Sequence, residues 1–207
     1  MAFPEEVVAE AEQLANAPIP QEEYEKRLDL RSTPIFTIDS AHSKDLDDAV
    51  SLEKTASGYK LGVHIADVSH YVRPNTPLNT EALDRGTSIY YANHVIPMLP
   101  TSLSNGICSL NPCEDRLAFS ALMELDENGE IVKYEFRKTV IRSAVKGVYS
   151  EVNQILDGSA SQELLDKYRD VIHMIPLMNE LCDIRLRERK RVVRRSWRLR
   201  GCAHHQR

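Results

Sequence analysis

The 207-residue chain has no long apolar run, no closely paired cysteines and no internal repeat. No stretch approaches the roughly 18 apolar residues of a membrane-spanning helix, and the first residues lack the basic start and apolar centre of a signal peptide. The four cysteines, at positions 108, 113, 182 and 202, form no CxxC pair, which is typical of free thiols in a reducing compartment. These absences argue against a membrane protein or a disulfide scaffold, and they predict a cytoplasmic protein.

Positive charge is scarce over most of the chain. The formal net charge is −5, and the segment 185–207 holds ten of the 26 Lys and Arg but one of the 31 acidic residues. The part before it is therefore strongly acidic, which is the opposite of what affinity for a phosphate backbone alone would require. If this part binds nucleic acid, it must do so through a local groove, through bound metal ions or with the help of further domains.

Four aspartates fall within ten residues, at positions 39, 45, 47 and 48. Unit charges about 4 Å apart repel by roughly 4 kcal/mol at an effective dielectric constant near 20, so the cluster must be solvated or neutralised by cations. The flanking segments 35–38 and 49–52 read as strands, and in an extended segment Asp45 and Asp47 share one face while Asp48 lies on the other. A rigid frame favours a metal site over a solvated loop. Carboxylate oxygens suit Mg²⁺, with Mn²⁺ as the alternative, and phosphodiester chemistry.

Two other acidic motifs do not fit. A calcium-binding EF-hand loop that began at Asp39 would need glycine at its sixth position and glutamate at its twelfth, where the chain has Lys44 and Val50. A phosphatase of the aspartyl-phosphate type would place its aspartate directly after an apolar strand, and Asp45 follows a polar segment instead.

The patterns along the chain predict an α+β fold, a mixed or antiparallel sheet packed with helices. Residues 4–16 form an amphipathic helix, and a second helix runs from Pro77 to Gly86 with Thr76 as its N-cap. Strands are expected at 59–65 and at 117–123 and 131–136, the last two as a hairpin. The segment 21–31 reads as solvated surface and 95–112 as irregular. A helix spans about 150–156 and another starts near 161, with a kink at Pro176.

The acidic loop and several later segments together resemble the ribonuclease II family of 3′→5′ exoribonucleases. The loop reads Thr-Ile-Asp, then Asp45-Leu-Asp-Asp-Ala-Val. The resemblance continues in the segments 63–72, 85–90, 95–100 and 103–112 and covers about residues 3–190. It implies that residues 34–190 are the N-terminal portion of an RNB-type catalytic domain, preceded by a helix and linker at 1–33.

The resemblance also implies roles for individual residues. Asp39 and Asp48 would bind Mg²⁺ directly, Asp45 would support the metal and the catalysis, and Asp47 would be the acid whose loss abolishes hydrolysis while RNA binding is spared. Tyr90 would stack on a base near the single-stranded 3′ end of the RNA substrate. Arg85 and Arg116 are candidate phosphate contacts. We expect a monomer with no membrane partner, Tyr91 and Phe119 in the core, and His42, His64, His70 and His94 as structural or groove-lining residues.

The tail 191–207 departs from the family pattern, since it has six Arg, no Lys and no acid. A frame change or truncation in the coding sequence is our hypothesis for it. The family's second catalytic half, with an Arg and a Glu near the metal, is absent from this sequence. The sequence therefore leaves two alternatives open, a Mg²⁺-dependent processive exoribonuclease and a non-catalytic remnant that binds metal and RNA.

Overall fold

The computed structural model describes residues 2–91 and 94–202, with side chains up to residue 188. The helices are α1 (Glu5–Asn16), α2 (Gln21–Lys26), α3 (Val68–Tyr71), α4 (Pro77–Arg85), α5 (Tyr149–Asp157), α6 (Gln162–Lys167) and α7 (Met174–Cys202), and a π-helical turn spans Leu103–Ile107. The strands are β1 (Leu28–Asp29), β2 (Thr37–Asp39), β3 (Asp48–Thr55), β4 (Gly58–Ala66), β5 (Ile89–Tyr90), β6 (Val95–Ile96), β7 (Asp115–Asp126), β8 (Ile131–Arg142) and β9 (Lys146–Val148).

The central sheet has five strands in the order β1-β8-β7-β4-β3. Neighbouring strands are antiparallel except β1 and β8, which run parallel. Two small ladders stand apart from it: β2 pairs in parallel with β9, and β5 pairs antiparallel with β6. A mixed sheet with helices against it confirms the predicted α+β class.

Apolar side chains form three buried clusters. One lies between the sheet and α7 and includes Tyr59, Tyr168 and Ile175. A second joins α1 and α4 to the sheet, and α1 contributes Val7 and Ala11 from the face that the sequence predicted. The third lies directly behind the acidic loop, and its buried members are Ile35, Leu46, Ala49, Ala66, Leu110, Ala118 and Ile141.

The capped helix has the predicted ends. The Thr76 hydroxyl accepts a hydrogen bond from the Asn79 amide at 3.2 Å, and Gly86 ends α4 with φ at 70°. A left-handed residue at this position favours glycine, which has no Cβ to clash. The helix therefore begins and ends where its sequence signals are.

Three predictions of local structure were wrong. The segment 21–31, expected to be solvated surface, contains α2, β1 and the buried side chain of Arg27. The single kinked helix from residue 161 is two helices, α6 and α7, separated by a turn. Pro176 lies in the first turn of α7, where a missing N–H leaves no intrahelical bond unmade, so it does not kink the helix. The irregular segment 95–112 holds β6 and the π-helical turn.

No helix in the described part of the chain is long and apolar enough to cross a membrane. Cys108, Cys113 and Cys182 are free thiols, as predicted. The side chains of the basic tail, including Cys202, lie outside the described residues, while the backbone of α7 continues without interruption from residue 190 to Cys202.

Candidate active site

The four aspartates lie on the connection between β2 and β3. Asp39 is the last residue of β2 and Asp48 the first of β3, and residues 40–47 between them have no regular secondary structure. Leu46 is 1% exposed and packs into the apolar cluster behind the loop, so Asp45 and Asp47 on either side of it face outward. The amide of Ala66 in β4 donates to the Asp47 carbonyl at 2.9 Å, which holds the end of the loop against the central sheet.

The electrostatics of the loop are those of crowded carboxylates. Burial raises the pKa of Asp39, and the charge of Asp48 raises it further. Although Asp47 lies at the surface, protein atoms around its carboxyl group raise its pKa, and the charges of Asp45 and Asp48 add to this. The acids are therefore close enough to destabilise one another's charged forms, which is the state that a bound cation would relieve.

The donor atoms fit a hard divalent cation in type, and one of them is left without a partner. The Oδ2 atom of Asp39 is buried without a hydrogen bond of normal geometry, and so is the nearby Thr37 hydroxyl, which offsets only part of the rise in the Asp39 pKa. Nevertheless, among the described residues no three His, Cys, Asp or Glu side chains stand close enough together to hold a metal ion as they are. Mg²⁺ commonly uses one or two carboxylates and completes its shell with water and substrate phosphate, so the observed arrangement is compatible with such an ion.

Tyr90 joins the acidic loop to the β5–β6 hairpin. Its hydroxyl donates a hydrogen bond of 2.5 Å to Asp45 Oδ2, and this bond is the main cause of a raised pKa for Tyr90. The residue is nevertheless 63% exposed, so a face of the ring is free beside the carboxylates. Tyr91, expected in the core, is 61% exposed, and its amide bonds to the His94 carbonyl across the hairpin.

Arg85 and Arg116, the predicted phosphate contacts, are engaged in holding the scaffold. Arg85 bonds to Glu81 at 2.7 Å and to the Pro97 carbonyl at 3.2 Å, and its guanidinium lies over the Phe3 ring. Arg116 donates from Nε to the Ser109 carbonyl at 2.8 Å and from Nη2 to the Gly106 carbonyl and to Glu114. Each arginine would have to break one of these bonds before it could contact an RNA phosphate.

Two residues beside the loop carry no signal in the local sequence. The Ser109 hydroxyl and the Lys146 ammonium both bond to the backbone of residues 41–46. Ser109 is 63 residues from Leu46 along the chain, and Lys146 is 105 residues from Ala41. Their contacts with the loop can therefore be recognised only from the tertiary structure.

His64, one of the predicted structural histidines, is fully buried in the central sheet. Its Nε2 and Nδ1 atoms bond to the hydroxyls of Ser51 and Ser120 at 3.0 and 2.8 Å. Burial lowers its pKa to about 4, so the imidazole is neutral at physiological pH. Both ring nitrogens are engaged within the central sheet, so His64 has a structural role and does not exchange protons with the acidic loop.

Phe119 is also exposed, contrary to prediction. It lies on the sheet face that carries Asp48 at its edge, next to Ile65, and its ring stacks on Phe136 with centroids 5.9 Å apart. The residue is 45% exposed, as is Ile65. The prediction that Phe119 lies in the core was wrong, because no described element covers that part of the sheet.

The RNB domain model matches residues 27–200, and the chain belongs to the RNB family. The predicted family is confirmed, and its members are exoribonucleases. The match extends beyond residue 190, where the sequence pattern was expected to depart, and the proposed domain boundaries stay a prediction.

Among its relatives, Ribonuclease R 1 of Lactococcus lactis is 44% identical over 91% of this chain, and Ribonuclease R of Thermotoga maritima is 46% identical over 91%. These matches cover 23% and 26% of those proteins, so the chain spans about a quarter of their length. RNase R of Mycoplasma genitalium, solved in complex with double-stranded RNA, superposes with a TM-score of 0.82 at 31% identity, over 92% of this chain and 34% of that one.

The fold alone is also shared with a protein from yeast. Yeast Ssd1, described as a pseudonuclease, superposes with a TM-score of 0.60 at 20% identity over 70% of this chain and 18% of that one. The fold therefore does not decide between an active enzyme and a binding module.

Proposed function

We propose that this chain forms the metal-binding half of the catalytic domain of a 3′→5′ exoribonuclease that degrades single-stranded or structured RNA in the cytoplasm, processively and with release of 5′-nucleoside monophosphates. The observation that carries the proposal is the loop itself. In an RNB-family chain, four aspartates stand on a strand-framed connection, and one of them, Asp39, has a buried oxygen without a partner. Such an oxygen is costly unless a cation or a donor occupies the space beside it.

Mg²⁺, or Mn²⁺ in its place, would be held by Asp39 and Asp48 with Asp45 in support. When bound, the ion would supply Lewis-acid polarisation of the scissile phosphate and would lower the pKa of a nearby water molecule. The chain's own residues do the rest. The backbone frame would fix the carboxylates, and Asp47, the outward acid whose pKa is raised, would orient the attacking water and accept its proton.

Tyr90 would position the RNA 3′ end. Its ring is exposed while its hydroxyl is tethered to Asp45, so a base stacked on it would lie beside the carboxylates. Stacking is indifferent to base identity and is worth about 1–3 kcal/mol per base. We expect Tyr90→Ala to weaken binding of a 3′-labelled oligoribonucleotide by about tenfold or more and Tyr90→Phe to retain it. The equally exposed Tyr91 provides the comparison: if Tyr91→Ala alone weakens binding, the stacking role belongs to Tyr91.

The second candidate is a non-catalytic module that binds metal and RNA. The observation that favours it is that the described residues assemble no three-ligand cluster of the kind that would fix a catalytic ion.

One experiment separates the two candidates. The purified chain and its Asp47→Asn variant are incubated with 5′-labelled single-stranded RNA and Mg²⁺, and the products are resolved on a gel. A ladder that shortens from the 3′ end with the wild type, and that is absent with Asp47→Asn or with chelator, supports the enzyme. Equal absence of hydrolysis in both proteins, with RNA binding intact, supports the binding module.

A further inference from the structure

We propose that Ser109 and Lys146 are positioning residues that clamp the loop carrying Asp45 and Asp47 from its two sides. The proposal rests on the proposed function in that it takes this loop as the metal-binding loop, but the clamp itself is a matter of geometry. Both side chains come from elsewhere in the chain, and both bond to the backbone of the loop and to no carboxylate in it. The Lys146 charge also offsets part of the rise in the pKa of Asp39, an effect that Lys146→Arg retains and Lys146→Met removes.

Ser109 holds the two peptide groups that flank Asp45. Its hydroxyl is fully buried; it accepts a hydrogen bond from the Leu46 amide at 3.0 Å and donates one to the Lys44 carbonyl at 2.9 Å. The Leu110 amide next to it donates to the Leu46 carbonyl at 2.8 Å. A single hydroxyl thus pairs with the chain on either side of Asp45, as a neighbouring strand would.

Ser109 is itself held in place. It follows the π-helical turn, and the Arg116 guanidinium donates to its carbonyl at 2.8 Å. The same guanidinium reaches the carbonyl of Gly106 within that turn. This arrangement explains why Arg116 is largely buried close to the acidic loop without contacting any of the four aspartates.

Lys146 holds the other half of the loop. It lies in β9 opposite Thr37 of β2, and its ammonium donates to the carbonyls of Ala41 at 3.1 Å and of Ser43. These carbonyls belong to the turn that follows Asp39. The strand pairing therefore fixes the start of the loop by its backbone, and the lysine side chain fixes the turn.

Together the two side chains supply hydrogen bonds to the loop backbone that a neighbouring strand would otherwise make. Between β2 and β3 the chain has no strand pairing, yet Asp45 must stay within a few tenths of an ångström of its working position if it is to serve a metal site. Residues that orient ligands in this way change metal affinity by about 10- to 100-fold when they are lost. The clamp is therefore expected to act on metal binding without touching the metal.

The test compares Ser109→Ala, Lys146→Met and Lys146→Arg with Ser120→Ala, in the whole chain. Ser120 is the matched control, because its hydroxyl is equally buried and bonds to His64 and Thr139 within the central sheet. Two quantities are measured: amide hydrogen exchange of residues 40–47 without metal, and the affinity for Mn²⁺ by calorimetry. Urea unfolding of each variant corrects the exchange rates for global stability.

We expect Ser109→Ala to accelerate exchange of the Leu46 amide by about tenfold or more, since that donor loses its buried acceptor. Ser109→Ala and Lys146→Met should each weaken Mn²⁺ binding by about tenfold or more. Lys146→Arg should restore the affinity because a guanidinium also donates to two carbonyls. Ser120→Ala should lower the urea midpoint while leaving loop exchange and Mn²⁺ affinity unchanged.

Loop amides that exchange at the wild-type rate in both Ser109→Ala and Lys146→Met would overturn the proposal. So would a Ser120→Ala variant that loses as much Mn²⁺ affinity as they do, since the effect would then be one of general stability. If Ser109→Ala does not fold, the contrast between Lys146→Met and Lys146→Arg decides. Should the wild type neither bind Mn²⁺ nor hydrolyse RNA, the proposed function fails, while the exchange rates still test the clamp.

Discussion

Replacement of Arg27 by methionine should lower the free energy of unfolding by about 3–5 kcal/mol, because it removes one partner of a buried ion pair. The Arg27 side chain is 1% exposed; its Nη2 lies 2.8 Å from Asp67 Oδ2, itself on a side chain that is 3% exposed, and its Nε lies 2.6 Å from Glu23. Without the guanidinium, Asp67 retains the Ser69 hydroxyl at 2.8 Å and the Lys138 ammonium at 3.9 Å. Neither group compensates a buried charge at close range.

Urea unfolding followed by circular dichroism measures the loss, and thermal unfolding should show a decrease in Tm of about 6–20 °C for a chain of this size. Lys26 provides the control one residue away. Its pair with Glu22, at 3.1 Å, joins side chains 67% and 65% exposed, so Lys26→Ala should cost about 0.5 kcal/mol or less. An Arg27→Met variant as stable as Lys26→Ala would refute the reasoning. The double variant Arg27→Met/Asp67→Asn should recover part of the loss, since the unpaired charge is gone.

Two further predictions concern the acidic loop and its frame. The pKa values of Asp39 and Asp47 are raised, so the metal-free native state binds more protons than the unfolded chain, and their contribution to stability is lost as the pH rises through the folded pKa values. In chelator, Asp47→Asn should therefore have a higher urea midpoint than the wild type at pH 7 and no advantage at low pH; equal midpoints at both would contradict this. Gly147→Ala would place a Cβ 2.3 Å from the Thr37 carbonyl oxygen, so the β2–β9 ladder must shift. The free energy of unfolding should therefore fall by about 1–3 kcal/mol. An unchanged urea midpoint would show that the ladder accommodates the methyl group without loss of stability.

Signals between near neighbours in the sequence predicted much of the fold. Thr76 and Gly86 marked the ends of α4, the turn at 126–129 marked the β7–β8 hairpin, and strand alternation gave β3 and β4. These features depend on contacts a few residues apart or on the next strand along the chain. Local chemistry therefore suffices to specify them.

Features that depend on distant partners were missed. Arg27 lies in a charged segment and read as surface, because its burial depends on Asp67 and the strand that carries it. The loop acids were recognisable from their spacing and family resemblance, whereas Ser109 and Lys146 are ordinary residues until β9 pairs with β2 and the π-helical turn packs behind the loop. The role of such a serine or lysine depends on its tertiary contacts, and these cannot be read from the residues next to it in the sequence.

The charge distribution around the acidic loop predicts whether metal or RNA binds first. The body of the chain is acidic, Arg85 and Arg116 are engaged in the scaffold, and Lys146 is bonded to loop carbonyls, so a phosphate could bond to any of these three cations only by displacing one of these contacts. An RNA 3′ end that approaches four aspartates meets repulsion unless a divalent ion has already neutralised them. Metal binding should therefore precede productive RNA binding. At constant ionic strength Mg²⁺ should strengthen RNA binding to the wild type, and it should do so less for Asp39→Asn, which loses a carboxylate that would hold the ion.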